Sequence, residues 1–127
     1  MILAIVGLGV GIVETERFRA VERRYGARFA ERVFTPGERA YAARRRRGFE
    51  SLAVRFAAKL AARRALGRAH ASLREVEVVR EGGRAPTLVF HAAAAESARG
   101  LGVVRAALSV THDAHLCIAH VVLEGGA

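Results

Sequence analysis

Apolar residues along the chain follow two different periods, and the change of period divides the chain into strand-like and helix-like segments. Continuous or alternating apolar runs predict strands, whereas apolar residues three and four positions apart predict helices. Ile2 to Val6 is an uncharged apolar run typical of a buried strand. Gly7-Leu8-Gly9-Val10-Gly11 follows it, and so many glycines predict a tight turn into the next element.

The next segments have helical patterns. Apolar residues recur at helical spacing in the segment from Thr15 to about Tyr25, and a second short helical piece covers Phe29 to Val33. Thr35-Pro36-Gly37-Glu38 has the form of a helix start, with a capping threonine, a proline at the first position and a glutamate that completes a capping box. We therefore expect a third helix after Thr35.

The strongest helical pattern runs from Ser51 to Leu66 and is closed by a glycine. Two stripes run along this helix. The apolar stripe consists of Leu52, Phe56 and Leu60, and the basic stripe consists of Arg55, Lys59 and Arg63. The pattern therefore predicts one apolar side and a parallel row of cations.

The rest of the chain predicts short strands and one more helix. The predicted strands cover residues 76–79, 87–90, 107–110 and 116–123, and an alanine-rich helix covers 92–99. Strands and helices that do not alternate regularly are typical of α+β proteins. A length of 127 residues suits a single domain that spans residues 1–127.

The net charge of +9 favours anionic partners. Nearly all of the positive charge is arginine, which suits bidentate contacts with phosphate but is also the bias of a GC-rich genome. The run from Arg44 to Arg47 is open to two interpretations, a solvated basic loop or a docking site for an acidic protein. Nucleic acid is an unlikely partner by pattern, because interleaved aromatic residues and a reading module are missing.

Cysteine content and the first residues indicate a cytoplasmic protein without a membrane anchor. A single cysteine, Cys117, excludes an internal disulfide and lies in an apolar run typical of a buried position. Residues 1–13 are uncharged, but they lack a basic leader and are shorter than the roughly 20 residues that span a bilayer.

Motifs with recognisable chemistry are weak in this chain. The glycines after the first strand lack the third glycine of a dinucleotide fingerprint, since that position is Ile12. His112 leaves a predicted strand beside hydroxyl side chains, which suits phosphate binding or proton transfer, although the pattern taken alone favours a plain loop histidine. His115 and His120 are near in sequence, but the partners of a zinc site are not at ligand spacing. Residue patterns alone thus lead to a basic α+β domain.

Four segments, in order, resemble the acyl-carrier-protein synthase type of 4′-phosphopantetheinyl transferase. They are Gly7 to Arg17, Phe29 to Glu38, Arg55 to Ala61 with Ala65 to Gly67, and Leu108 to His112 with Ile118 to Glu124. Together they cover nearly the whole chain. The resemblance implies the fold of that family and a homotrimer with active sites at the subunit interfaces.

The resemblance also implies a reaction. Members of the family move the phosphopantetheine arm of coenzyme A to a serine of an acyl carrier protein. The family uses a magnesium ion to neutralise the pyrophosphate, and an aspartate and a glutamate hold that ion. Such transfer depends on positioning and on charge neutralisation.

Both of the family's magnesium ligands are replaced in this chain. Gly11 stands where the family has the aspartate, and Leu60 stands where it has the glutamate. Glu14 is a possible substitute ligand if a helix begins early enough to bring it one turn after Gly11. Magnesium binding is therefore doubtful.

The cations that the resemblance implies are retained. Lys59 and His112 match the signature lysine and histidine, which makes them the candidate catalytic residues. Arg55 and Arg63 join them as candidate ligands of coenzyme A. On the first helix, the resemblance implies contact between the carrier protein and two arginines, Arg17 and Arg24.

Two functions remain open at this point, and nucleic-acid binding through the arginine run is a weaker third. The first is holo-acyl-carrier-protein synthase activity with the family's magnesium ligands absent. The alternative is a non-catalytic module that still binds acyl carrier protein or coenzyme A. The loss of two acids beside retained cations suits either function.

Overall fold

A computed structural model describes residues 2–68 and 71–126 as five strands and five helices. In chain order they are β1 Leu3–Glu14, α1 Thr15–Tyr25, α2 Ala27–Val33, α3 Pro36–Ala43, α4 Gly48–Ala65, β2 Val76–Val79, β3 Thr87–Phe90, α5 Ala92–Gly100, β4 Val103–His112 and β5 Leu116–Gly126. The α+β class predicted from the residue pattern is confirmed. Most boundaries lie within a few residues of the predicted ones, and β1 is the main exception.

The five strands form two antiparallel sheets. The larger sheet has the order β1-β5-β4, and the smaller one pairs β2 with β3. In the larger sheet Gly11 lies opposite Ala119, and His112 lies opposite Cys117. Because β5 is central, β1 and β4 are the two edges of this sheet.

The glycine-rich segment is part of β1, so the predicted turn at residues 7–11 is wrong. Gly7, Gly9 and Gly11 face α4, and a Cβ atom on each would lie within 2.2, 1.8 and 2.1 Å of the carbonyl oxygens of Ala65, Ala61 and Ala57, respectively. Two strand residues span roughly the same distance as four helix residues, about 6 to 7 Å. The glycines therefore let the backbone of β1 lie directly against the backbone of α4.

The core lies where α4 crosses the larger sheet. Its buried side chains are mainly alanines of α4 and apolar residues of β5, which include Cys117 and Leu123. Cys117 is buried, as its apolar surroundings predicted, and burial raises the pKa of its thiol. At the end of α4 near α1 and α2, five aromatic rings pack together: Phe18, Phe29, Phe34, Phe49 and Phe56.

The predicted capping box at the start of α3 is confirmed. The Thr35 hydroxyl accepts a hydrogen bond from the backbone N–H of Glu38, and the Glu38 carboxylate accepts one from the backbone N–H of Thr35. The second oxygen of Glu38 also accepts a hydrogen bond from the N–H of Val78. Glu38 thus ties α3 to β2 as well as closing its own helix.

On the face of the larger sheet that points away from α4, β1 presents a row of exposed apolar side chains. Leu8, Val10 and Ile12 alternate with the glycines of β1, and Leu8 and Ile12 are 64% and 57% exposed. Val104 of β4 is similarly exposed. Within residues 2–68 and 71–126, none of the helices combines the length and apolar character needed to cross a bilayer.

Candidate functional site

A basic cavity lies where the connection between α3 and α4 meets the end of β4. Its volume is about 480 Å³. Most of its polar lining carries positive charge. The residues around it are Tyr41, Arg45, Arg46, Arg47, Glu50, Ser51, Val54, Arg55, Arg80, Val110 and His112. We call this space the basic cavity.

Tyr41 organises two of the cations in the basic cavity. The guanidinium carbons of Arg45 and Arg55 lie 4.4 and 4.2 Å from the centroid of the Tyr41 ring. A guanidinium over an aromatic face gains a favourable electrostatic contact. Arg55 also donates from Nη1 to the Ser51 hydroxyl at 2.6 Å. These contacts hold Arg45 and Arg55 in place before any ligand binds.

Arg55 is buried and incompletely paired. Burial lowers the pKa of its guanidinium, while the nearby Tyr41 and Glu38 raise it. Its Nε has no hydrogen-bond partner among the described residues. A buried guanidinium with a spare donor is suited to an anionic ligand.

His112 reaches the same cavity from the sheet. It is the last residue of β4 and is exposed, on the side of the strand that faces α4. The structure thus brings together two of the predicted coenzyme A ligands, Arg55 and His112. Neither Lys59 nor Arg63 lines this cavity.

Lys59 lies in the interior, in contrast to its predicted contact with phosphate. Its side chain is fully buried, and Nζ lies 2.6 Å from Oε1 of Glu38. The ammonium also donates to the carbonyl oxygens of Leu73 and Val76. Burial lowers the pKa of Lys59, and the charge of Glu38 opposes that effect. All three N–H bonds are therefore used within the fold.

Arg63 is also held by the protein itself. Its Nη1 donates to the carbonyl oxygen of Ala71 at 3.0 Å, across the connection that leaves α4. Burial, and to a smaller extent the charge of Arg64, lowers its pKa. The basic stripe predicted from spacing is thus a row of largely buried and paired cations, not an exposed one.

The two positions that correspond to the family's magnesium ligands do not fit a metal ion. Magnesium requires oxygen ligands, and neither Gly11 nor Leu60 offers a side-chain oxygen. A Cβ on Gly11 would lie 2.1 Å from the carbonyl oxygen of Ala57, so any side chain at this position needs α4 to move. No group of three or more His, Cys, Asp and Glu side chains suited to a metal ion occurs in residues 2–68 and 71–126.

The condition under which Glu14 was predicted as a substitute ligand, a helix that begins near Gly11, is wrong. Residues 11–14 belong to β1, so Glu14 lies about 10 Å along a strand from Gly11, not one helical turn away. An odd separation in a strand also places the two residues on opposite faces. Glu14 is exposed and lies 3.9 Å from the guanidinium of Arg17.

Arg64 was missed by the sequence analysis and lies beside Gly11. It is exposed, and its Nη1 donates to the carbonyl oxygen of Val10 at 2.5 Å. Arg64 follows Leu60 by four residues, so the two share one side of α4. The spacing of four residues from Leu60 is the signal that could have identified Arg64. It is easily overlooked because Arg64 adjoins Arg63, which belongs to the predicted basic stripe.

Arg17 and Arg24 lie seven residues apart on α1, on the same side of the helix. Val21 and Tyr25 are exposed between and beside them. A second cavity of about 900 Å³ begins at Val21 and Tyr25 and continues along α2, where Arg28 and Arg32 add positive charge. This surface combines cations with apolar side chains.

The basic cavity and the Gly11 region lie at opposite edges of the larger sheet. His112 is on β4 and Gly11 is on β1, with β5 between them. Two strand spacings separate the edges by about 10 Å. Approach of the β1 edge of one chain to the β4 edge of another would bring the two regions closer together than they are within one chain.

Comparison with known proteins identifies the class to which this fold and cavity belong. A family model described as the 4′-phosphopantetheinyl transferase superfamily matches residues 7–119. The chain belongs to this superfamily. Family membership, predicted from four segments of sequence, is confirmed.

Within the superfamily, the chain is similar over nearly its whole length to proteins named holo-[acyl-carrier-protein] synthase. The protein of that name from Solibacter usitatus is 45% identical over 123 residues, which cover 94% of this chain and 98% of the relative. A relative from Anaeromyxobacter dehalogenans is 44% identical and covers 95% and 97% of the two chains.

Solved structures agree with this assignment. The complex of a Chronobacterium ammoniagenes ACPS with coenzyme A matches all of both chains with a TM-score of 0.83 and 29% identity. A Bacillus anthracis holo-(acyl-carrier-protein) synthase in complex with CoA (3′,5′-ADP) has a TM-score of 0.76 and 30% identity, and the match covers 96% of this chain and 98% of the other.

Proposed function

We propose that this protein transfers the 4′-phosphopantetheine arm of coenzyme A to a serine of an apo acyl carrier protein. The observation that carries the proposal is the basic cavity, found in a chain whose full-length relatives are named holo-[acyl-carrier-protein] synthase. The non-catalytic alternative has no support from these relatives. The free cysteine suits the reducing cytoplasm, where we expect the protein to act.

The basic cavity is suited to the phosphate groups of coenzyme A. Arg45, Arg55 and Arg80 converge on it with His112, and Glu50 is the acidic residue of its lining. Guanidinium groups bind phosphate oxygens in a bidentate manner, and burial strengthens the contact. Arg55 lines the cavity with part of its guanidinium, and one of its donors is not used by the described part of the fold.

The transfer itself forms one bond and breaks another. The serine oxygen attacks the β-phosphorus of coenzyme A, and the bond from that phosphorus to the bridging oxygen breaks. The electron pair stays with the 5′-phosphate of the departing 3′,5′-ADP, and the serine proton goes to a base. His112 is exposed at the cavity and supplies an imidazole that can accept this proton.

The protein acts as a homotrimer in this proposal. The exposed apolar row of β1, which includes Leu8 and Ile12, is a surface that association would bury. A cyclic arrangement would also bring the β1 edge of one chain to the β4 edge of the next. Sedimentation equilibrium should give a trimer, and Leu8→Lys should shift it to monomers. Val89→Lys, which alters the smaller sheet, should leave the assembly unchanged.

The carrier protein docks on α1 in this proposal. Arg17 and Arg24 present positive charge on one side of the helix, and Val21 and Tyr25 add exposed apolar area. Acyl carrier protein is acidic, so the charges are complementary, and such complementarity mainly accelerates association. Added salt should therefore raise the KM for the carrier protein more than it lowers kcat.

A transfer assay tests the function directly. Purified protein, coenzyme A and an apo acyl carrier protein are mixed, and the addition of one phosphopantetheine arm is followed by mass spectrometry. Arg55→Ala should lower kcat/KM for coenzyme A by about 10²-fold, since a buried charged donor is lost, and Arg55→Lys should recover part of it. Arg99→Ala, on the exposed side of α5, is the control. Failure of the unaltered protein to modify any apo carrier protein would overturn the proposal.

A further inference from the structure

The region around Gly11 and Leu60 is closed, not vacant. The backbone of β1 packs against the backbone of α4 through three glycines, and at Gly11 a Cβ atom would meet both the carbonyl oxygen of Ala57, at 2.1 Å, and the N–H nitrogen of Ala61, at 3.0 Å. Leu60 is half-buried and packs against the core. Gly11 therefore lets β1 pack closely against α4, and Leu60 contributes to the apolar packing.

A cation of the protein lies at the same place. Of the four basic residues of α4, all of them within the described chain, Arg64 is the exposed one. Its guanidinium reaches the carbonyl oxygen of Val10, next to Gly11, from the helical turn that follows Leu60. Lys59 and Arg63 are held by Glu38 and by the carbonyl of Ala71, so they are not available for this role.

We propose that the protein carries out phosphopantetheine transfer without a divalent cation bound to it, and that Arg64 supplies positive charge to the pyrophosphate at the β1 edge. This inference rests on the proposed function. Only one N–H of the guanidinium is used by Val10, and an arginine has five donors in a planar fork that matches phosphate oxygens. A fixed cation that faces developing negative charge lowers the barrier to phosphoryl transfer.

Arg64 is a phosphate-binding residue in this proposal, whereas Gly11 and Leu60 have packing roles. The single charge of a guanidinium is smaller than that of a divalent ion. The arginines of the basic cavity compensate for part of that difference, provided that both edges of the sheet meet across a subunit interface. The loss of both acids also removes two negative charges that would otherwise repel the pyrophosphate.

Metal dependence is the first test. The protein is treated with a chelator, and transfer is measured with chelator present and again with magnesium in millimolar excess. We expect rates that agree within about twofold. Binding of Mn²⁺ is measured separately by electron paramagnetic resonance, with and without coenzyme A, and we expect no stoichiometric site on the protein alone. Transfer that requires magnesium, or one tightly held Mn²⁺ per chain, would overturn the inference and leave the proposed function intact.

Arg64 is tested by substitution. Arg64→Ala should lower kcat by about 10² to 10³-fold, the effect of removing one charged donor from a transition state, and Arg64→Lys should retain part of the rate. Arg68→Ala is the matched control, since Arg68 is an exposed arginine just beyond α4 that donates to Ser97. Equal rates for Arg64→Ala and Arg68→Ala would contradict the role of Arg64.

Ligand binding separates this inference from the proposed function. Calorimetry with Arg64→Ala should show about tenfold weaker binding of coenzyme A and unchanged binding of 3′,5′-ADP, because only coenzyme A carries the pyrophosphate. If no transfer is seen under any condition, the proposed function fails. Metal-free transfer then fails with it, and the Mn²⁺ and calorimetric results decide only whether the chain lacks an ion site and whether Arg64 binds the pyrophosphate.

Discussion

Lys59 occupies a signature position of the family, yet its side chain is buried in the interior of the fold. Sequence placed it in a basic stripe, and the resemblance implied a phosphate contact. The structure instead gives it a buried ion pair with Glu38, which also caps α3 and accepts from β2. Because helical spacing cannot show what faces a helix, the burial of Lys59 was not predictable from its stripe.

Replacement of Lys59 by methionine should therefore reduce stability strongly. Removal of one partner leaves the buried carboxylate of Glu38 uncompensated, at a cost of about 3 to 5 kcal/mol. Urea unfolding measures this change, with Arg99→Met as an exposed control expected within about 0.5 kcal/mol. A Lys59→Met variant that keeps its stability and loses transfer would instead place Lys59 in the reaction.

Glu77 is a second residue whose negative charge stabilises the fold. Burial alone would raise the pKa of its carboxyl group, but hydrogen bonds with His91 and Thr35 and the charges of His91 and Lys59 outweigh that effect, and its pKa lies below the usual value of 4.5. A carboxyl group with a lowered pKa in the folded state stabilises the protein above its unfolded pKa. That contribution is lost as the pH falls through the folded value.

The stability of a Glu77→Gln variant should consequently depend less on pH in acid. The unaltered protein should lose stability progressively below about pH 4.5, as Glu77 takes up a proton, and the variant should show a shallower fall over the same range. Free energies of unfolding from urea titrations at several pH values measure the two slopes. Glu81→Gln, on an exposed loop, should retain the original slope; parallel curves for Glu77→Gln and the unaltered protein would contradict the prediction.

Among the elements, β1 is where the sequence analysis failed most clearly. Glycines at every second position predict a turn under local rules, because those rules describe glycine by its backbone freedom. Their actual role depends on α4, some fifty residues later, where Ala57, Ala61 and Ala65 recur every four residues. Matching small residues on two distant elements was the signal, but residues 7–11 alone do not contain it. By contrast, the capping box at Thr35 was predicted correctly because all of its atoms lie within four residues.

The packing of β1 on α4 predicts a large effect of one methyl group. Gly9→Ala would place a Cβ atom 1.8 Å from the carbonyl oxygen of Ala61, and backbone atoms on both sides cannot rotate away. Overpacking of this kind costs about 1 to 3 kcal/mol or more. Gly100→Ala is the matched control, since a Cβ there meets nothing within 4 Å, and it should be neutral or slightly stabilising. Thermal or urea unfolding compares the two, and equal stabilities would refute the close approach.

At the scale of the whole molecule, the proposed function divides the site into two halves that lie apart within one chain. The basic cavity with Arg55 lies at the β4 edge, and Arg64 lies at the β1 edge beside Gly11. Residue patterns identified members of both halves but could not show that β5 separates them. In the proposed trimer, chains would associate through the exposed apolar row of β1, and assembly would complete the site.

Mixing two inactive variants tests whether the two halves of each site come from different chains. Arg55→Ala removes a cation from the cavity half, and Arg64→Ala removes one from the opposite half, so each pure variant should have little transferase activity. In randomly mixed trimers, about a quarter of the interfaces would combine an intact Arg55 with an intact Arg64 from different chains. Co-refolding an equal mixture should therefore recover roughly that fraction of the unaltered rate, whereas mixing Arg55→Ala with a double Arg55→Ala/Arg64→Ala variant should recover none. Activity that stays at the level of the pure variants in both mixtures would show that a single chain supplies both residues to each site.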